Sequence, residues 1–113
     1  MRNLFYPFVP VGHLKVWVLA PALDNPDPNL SYYYDFSQSI AEYTRVFTEL
    51  DLPWKWQPVT LDTYNTIVQE IANERQKGVF FPVVLNLCDG DEINGAPGLS
   101  VIKALEEKIK TNH

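Results

Sequence analysis

Three carboxylates crowd one short loop, and they are the residues of this chain with the clearest chemical potential. Asp89, Asp91 and Glu92 lie within four residues of one another and precede a segment with a helical pattern of apolar residues. A helix N-terminus by itself attracts phosphate. Because three negative charges oppose an anion there, we expect the ligand to be a cation, an ammonium group or an arginine of a neighbouring domain. The candidate substrate-binding residues of the loop are Asp89, Gly90, Asp91, Glu92, Asn94 and Gly95.

The same carboxylates also have a structural interpretation. Acidic residues in front of a helix stabilise it through the positive end of the helix dipole, each by a few tenths to about 1 kcal/mol. The sequence is equally compatible with both interpretations for any single residue of the loop.

Other chemistries are disfavoured by the residue types at hand. The glycine spacing of the loop matches neither the dinucleotide-binding fingerprint nor a P-loop, which ends in Gly-Lys-Ser or Gly-Lys-Thr. Cys88 is the single cysteine, and His13 and His113 lie near the chain ends. We therefore expect an inert buried thiol rather than a nucleophile, and we predict neither a metal site nor a catalytic residue in this chain.

Three strands are expected from the apolar runs. Residues 14–19 and 80–87 are almost continuously apolar, which is typical of strands buried on both faces. Residues 54–59 alternate large and polar side chains, and Pro58 cannot donate a ladder hydrogen bond. This run is therefore expected at an edge of the sheet.

Three helices are expected to alternate with these strands. Asp35 has the chemistry of an N-cap, Gln38 completes a capping box, and an apolar stripe continues to residue 50. A second helix is expected over residues 60–77, with Gly78 as its C-terminal stop. The third begins near residues 97–99.

The order β-α-β-α-β-α predicts a three-layer, Rossmann-like α/β fold. Right-handed crossovers give a parallel sheet with the strand order 2-1-3. In this order the carboxyl ends of the first and third strands adjoin at the topological switch point, where open α/β sheets bind ligands. The loops at residues 20–34 and 89–98 are therefore expected to line one crevice.

Length, composition and net charge limit the number of domains and the kinds of partner that the chain can have. The chain has 113 residues, 46% of them hydrophobic, and is expected to form one α/β domain over residues 14–113 after an aromatic, proline-containing arm at residues 1–13. Its net charge of −5 disfavours nucleic acids and anionic membranes as partners. A single cysteine, with no signal peptide or membrane span in the sequence, predicts a cytoplasmic protein.

One segment resembles a known family. Residues 83–107, VVLNLCDGDEINGAPGLSVIKALEE, are similar to the N-terminal, pre-ATP-grasp domain of D-alanine–D-alanine ligase-like members of the ATP-grasp superfamily. In that family the third strand of a Rossmann-like domain ends in an Asn-Leu-Cys-Glu-Gly type motif, which residues 86–90 match with Asp89 in place of Glu. Asn94 and Gly95 resemble the end of the family's Gly-Glu-Asp-Gly loop. Glu92 corresponds to its acidic residue after a one-residue shift.

This resemblance implies a carboxylate–amine ligase. Such enzymes phosphorylate a carboxylate with Mg-ATP and couple it to an amine, so a small amino acid or peptide is the implied substrate. In the family, ATP and magnesium are held by the central and C-terminal domains. The resemblance therefore implies that this domain holds no cofactor, is inactive alone, has the remaining ATP-grasp domains as its partner and is a fragment of a longer ligase.

Two alternatives remain open. Without a further strand, the outer edge of the third strand is expected either to pair with a second copy, giving a homodimer, or to be covered by the arm at residues 1–13. In function, the alternative is a stand-alone flavodoxin-like binding or interaction module without catalysis. A self-contained enzyme is least favoured, because no nucleophile, base and orienting group are recognisable together.

Overall fold

The computed structural model describes residues 13–22, 36–90, 92 and 95–109. Over that part of the chain, the strands form a parallel sheet in the order β2-β1-β3, and each strand is followed by a helix. The predicted α/β class, element order and strand order are thereby confirmed. Nearly all of the predicted arm and most of the loop at residues 20–34 lie outside the described residues. In chain order the elements are β1 (Leu14–Pro21), α1 (Ser37–Glu49), β2 (Trp54–Val59), α2 (Tyr64–Lys77), β3 (Phe81–Asn86) and α3 (Leu99–Lys108).

β1 lies at the centre of the sheet and is its most buried strand. All of its residues from Val16 to Pro21 are buried, because it has a strand on either side and packed side chains on both faces. Trp17 and Leu19 share one face and form the main core with side chains of α2, α3 and their neighbours. The other members of that core are Val59, Ile67, Ile71, Cys88 and Val101.

α1 covers the opposite face through aromatic rings that it packs on β2. The ring centroids of Phe47 and Trp54 are 5.4 Å apart, and those of Tyr43 and Trp56 are 6.3 Å apart. Trp56 pairs with Val18 of β1, so the two side chains lie on the same face. No residue of α1 is itself buried. The helix is therefore attached to the sheet by large side chains at its surface.

The prediction that the third strand is buried on both faces is wrong. Val83 and Leu85 of β3 are 42% and 37% exposed, although their partners in β1, Val16 and Val18, are buried. β3 is an edge strand, and α1 packs over β2 on the far side of β1. This part of the face consequently lacks a covering helix among the described elements. The other edge strand is β2, as Pro58 predicted.

The start of α2 departs from the prediction, whereas α3 begins at Leu99, within the predicted range of residues 97–99. α2 begins at Tyr64 rather than at Thr60, because residues 61–63 form a turn in which the Thr63 N–H donates a 3.2 Å hydrogen bond to the Thr60 carbonyl. Its predicted end is confirmed, since Gly78 adopts a left-handed conformation with a φ of 78°. The predicted cap of α1, Asp35, lies outside the described residues. No helix in the described part of the chain is long and apolar enough to cross a membrane.

Candidate functional site

The carboxyl ends of the three strands meet at one rim of the sheet. The Leu87 N–H donates a 2.8 Å hydrogen bond to the Leu19 carbonyl, which extends the pairing of β1 and β3 beyond the last residue of β3. On the other side, the Ala22 N–H donates a 2.8 Å hydrogen bond to the Val59 carbonyl. The acidic loop thus starts beside the end of β1, as expected. The first loop lies outside the described residues beyond Ala22, so the shared crevice stays a prediction.

The chain leaves β3 through a turn stabilised by Asn86. The Asn86 side-chain oxygen accepts a 3.0 Å hydrogen bond from the backbone N–H of Cys88. The Cys88 side chain enters the core, where the residue is 2% exposed. Burial, with a smaller contribution from the charge of Asp89, raises the pKa of the Cys88 thiol to about 12. The thiol is therefore protonated at neutral pH and unreactive as a nucleophile.

The acidic loop is closed by two glycines. Gly90 and Gly98 form a parallel bridge, and the Gly90 N–H donates a 3.0 Å hydrogen bond to the Pro97 carbonyl. A Cβ atom at Gly98 would collide with the carbonyl oxygen of Gly90, and one at Gly90 would lie 2.7 Å from the Cβ of Ala96. Only glycine permits this approach of the two backbones. The bridge holds the two ends of the loop together.

Glu92 binds the N-terminus of α3. One carboxylate oxygen accepts 2.9 Å hydrogen bonds from the backbone N–H groups of Gly98 and Ser100, and the other accepts a 2.8 Å hydrogen bond from the Ser100 hydroxyl. The Ser100 N–H contributes most to lowering the pKa of Glu92, followed by the Gly98 N–H and the Ser100 hydroxyl, because each favours the ionised carboxylate. Glu92 has a φ of 67°, in the left-handed region that is uncommon for residues other than glycine.

These contacts show that the acidic residues of the loop have different surroundings. Glu92 makes the helix-terminal hydrogen bonds of the structural interpretation, whereas Asp89 is exposed at the rim. In the described part of the chain, no group of three or more His, Cys, Asp or Glu side chains could hold a metal ion. Among the other predicted binding residues, Gly90 and Gly95 are partly buried, and Asp91 and Asn94 lie outside the described residues.

A cavity that the sequence patterns did not predict lies where the three strands begin, and we name it the amino-end cavity. Its volume is about 480 Å³, and side chains of β1, β2, α2 and the segment before β3 line it. Lys15 and Lys55 could have indicated it, since each places a charge near the start of a strand beside aromatic residues. Their proximity depends on strand register, which the sequence does not show.

The fold defines the chain as an α/β domain with a Rossmann-like parallel sheet. No family model matches the chain, and neither a curated protein nor a solved structure is significantly similar to it. Its function must therefore be inferred from the motif at the end of β3 and from the geometry of the rim.

Proposed function

We propose that the chain is the substrate-side N-terminal domain of an ATP-dependent carboxylate–amine ligase similar to D-alanine–D-alanine ligase. The observation that supports this most is the position of residues 86–90, which end the strand next to β1 at the rim where open α/β sheets bind ligands. In this role the domain binds a small amino acid or peptide and closes over it. ATP-binding domains of the same chain then activate the carboxylate.

Asp89 is the residue proposed to contact the substrate. Its carboxylate is exposed at the rim and suits the ammonium group of an amino acid. Glu92 acts indirectly, because its hydrogen bonds to α3 hold the loop in one conformation and reduce the entropy lost on binding. The resemblance to the ligase family, in which the central and C-terminal domains hold ATP and magnesium, is what assigns both to other domains here.

The coding sequence after codon 113 gives the first test. ATP-binding domains are expected to follow in frame, and a stop codon directly after His113 in the native gene would overturn the proposal. The longer polypeptide is expected to hydrolyse ATP only when an amino acid substrate is present.

Substitution of Asp89 gives the second test, in that longer polypeptide. Asp89→Asn is expected to raise KM for the amino acid roughly tenfold to a hundredfold, since a hydrogen bond to a charged group contributes about 1.5–3 kcal/mol. Glu106→Gln, at an exposed position of α3, is the matched control and should leave KM unchanged. An unchanged KM in Asp89→Asn would remove Asp89 from the substrate site.

A stand-alone binding module without catalysis is the alternative. The rim favours it in one respect: the Cys88 thiol is buried and protonated, and the Glu92 carboxylate is engaged by α3. Neither group is available as a nucleophile or a general base. A native gene that ends after His113, with Asp89-dependent binding of a ligand by the chain itself, would favour this role.

A further inference from the structure

The amino-end cavity lies at the opposite end of the strands from the acidic loop. It extends between the sheet and the C-terminal half of α2, and its volume of about 480 Å³ falls within the range of small-molecule sites, roughly 300–1,000 Å³. Three of the nine basic residues of the chain line it, namely Lys15, Lys55 and Lys77. It is therefore independent of the function proposed for the rim.

The carboxylate of Glu74 connects two other residues that line this cavity. Glu74 accepts a 2.8 Å hydrogen bond from the indole N–H of Trp17 through Oε1 and a 2.9 Å hydrogen bond from Lys15 Nζ through Oε2. Trp17 is only 3% exposed, so its ring is fixed as part of the core. Glu74 thereby neutralises Lys15 and uses both of its oxygens.

Lys55 and Lys77 lack a comparable partner. Two ion pairs are formed among the described residues, and neither includes Lys55 or Lys77. Lys55 Nζ lies 4.9 Å from the ring centroid of Trp17, the same distance as Lys15 Nζ. Two ammonium groups thus lie over one indole ring, and among the described side chains a carboxylate forms an ion pair with only one of them, that of Lys15.

We propose that the amino-end cavity binds a small organic carboxylate. The anionic group would lie at Lys55 and Lys77, with which no described side chain forms an ion pair. The apolar part would lie against Trp17, Val79 and Phe80, which are the apolar residues that line the cavity. Val79 is 63% exposed, so a ligand there would cover apolar surface that water now contacts.

The negative charge of Glu70 allows an electrostatic test, because its removal should change the affinity in the opposite direction to the removal of a lysine charge. Its carboxylate lines the same cavity and repels an anion bound there. Glu70→Gln should therefore strengthen binding, whereas Lys55→Gln and Lys77→Gln should weaken it. A general effect of surface substitutions on the fold would not give opposite signs.

Titration of the isotope-labelled 113-residue chain with sodium benzoate tests the proposal. The NMR signal of the Trp17 indole N–H should shift and saturate with benzoate, about fivefold more weakly with acetate, and not at all with benzamide. A Lys55→Gln, Lys77→Gln double variant should raise the Kd of benzoate about tenfold, and Glu70→Gln should lower it about two- to threefold. Lys103→Gln, at an exposed position of α3 outside the cavity, should leave it unchanged.

Three results would overturn the proposal: no saturable shift up to about 50 mM benzoate, equal binding of benzoate and benzamide, or a Kd that the double variant leaves unchanged. The substituted side chains are all exposed, and the methyl signals of Val68 and Ile71 report whether the core stays intact. The wild-type chain supplies an independent measurement. Raising the salt to about 0.3 M should weaken benzoate binding, and insensitivity to salt would also contradict the proposed role of the lysines.

Discussion

The carboxylate of Glu92 decides how the acidic loop meets α3. A helix N-terminus leaves backbone N–H groups without intrahelical partners, and here the groups of Gly98 and Ser100 are satisfied by one side chain six and eight residues earlier. The carboxylate also complements the positive end of the helix dipole. Glu92 therefore has the role of a remote helix cap, supplied by the loop.

We expect Glu92→Gln to destabilise the protein at neutral pH and much less in acid. The pKa of Glu92 is lower in the folded state than in the unfolded state, because the hydrogen bonds favour the ionised carboxylate. Its contribution is then fully present above the ordinary carboxyl pKa of about 4.3 and is lost as the pH falls through the folded pKa. Urea unfolding between about pH 2 and pH 7 measures this effect. The difference in the free energy of unfolding between wild type and variant should become smaller as the pH falls.

Glu106→Gln is the control for this experiment. Glu106 is exposed on α3 and makes no contact with the start of that helix in the described structure. The free energy of unfolding of this variant should depend on pH in the same way as that of the wild type. If the difference in the free energy of unfolding between wild type and Glu92→Gln stayed constant over the whole pH range, the charge of the Glu92 carboxylate would not explain the effect.

The position of the acidic loop could be predicted from the sequence, but the different roles of its three acidic residues could not. Asp89, Asp91 and Glu92 are chemically similar and adjacent, and spacing alone does not say which of them reaches α3. That choice depends on the left-handed backbone of Glu92 and on the bridge between Gly90 and Gly98. Both features are set by contacts between residues that are distant along the loop, so a local pattern cannot predict them.

At the scale of elements, the bridge between Gly90 and Gly98 joins the end of β3 to the start of α3. We expect Gly98→Ala to destabilise the protein by roughly 3 kcal/mol or more, because the new methyl group meets backbone that cannot move aside. Gly78→Ala is the matched comparison: its φ of 78° is unfavourable for alanine, at about 1–2 kcal/mol, but nothing lies within 4 Å of the added Cβ. Urea unfolding of both variants measures the difference. Equal losses would mean that the bridge is not needed for the fold.

α1 is the helix with the weakest attachment. None of its residues is buried, whereas α2 buries Ile67, Val68 and Ile71. Because local opening is easier where fewer apolar contacts are lost, we expect the amides of α1 to exchange with solvent at least about tenfold faster than those of α2. Native-state hydrogen exchange by NMR measures this directly. Equal protection in the two helices would show that they open together.

Local patterns predicted the order of the elements because apolar periodicity reflects which side of a helix or strand is buried. The bounds of β2 agree with the prediction, and Gly78 ends α2 where its conformational freedom is needed. The burial of β3 could not be predicted in this way. An apolar run does not reveal which strand a helix covers, and here Trp54 and Trp56 place α1 over β2.

At the scale of the whole molecule, the outer edge of β3 is not paired with any other described strand. The Leu87 N–H points towards β1, so by alternation the backbone groups of Val84 and Asn86 point away from the sheet, as does the Pro82 carbonyl. Proteins commonly protect such an edge with charged side chains, but residues 79–88 carry none. Leu85 is also 37% exposed beside this edge. An extended chain could therefore pair here.

A second copy of the chain is complementary to this edge. In an antiparallel pair about a two-fold axis at Val84, the two Val84 residues would exchange their backbone hydrogen bonds, and each Asn86 N–H would meet the Pro82 carbonyl of the other copy. Val83 would then lie opposite Leu85 on the exposed face. We therefore predict a homodimer. Because the contact is small, its dissociation constant is expected to be micromolar or weaker.

Leu85→Lys should convert this dimer into a monomer, because a charge at the edge opposes pairing while the exposed position tolerates it. Light scattering after size-exclusion chromatography at about 100 µM chain measures the mass, and Leu50→Lys, at a site that is 56% exposed outside the sheet, is the control. A wild-type monomer at this concentration would contradict the dimer. Deletion of residues 1–12 then distinguishes the remaining explanation: dimers that appear only after the deletion would identify the arm as the cover of the edge.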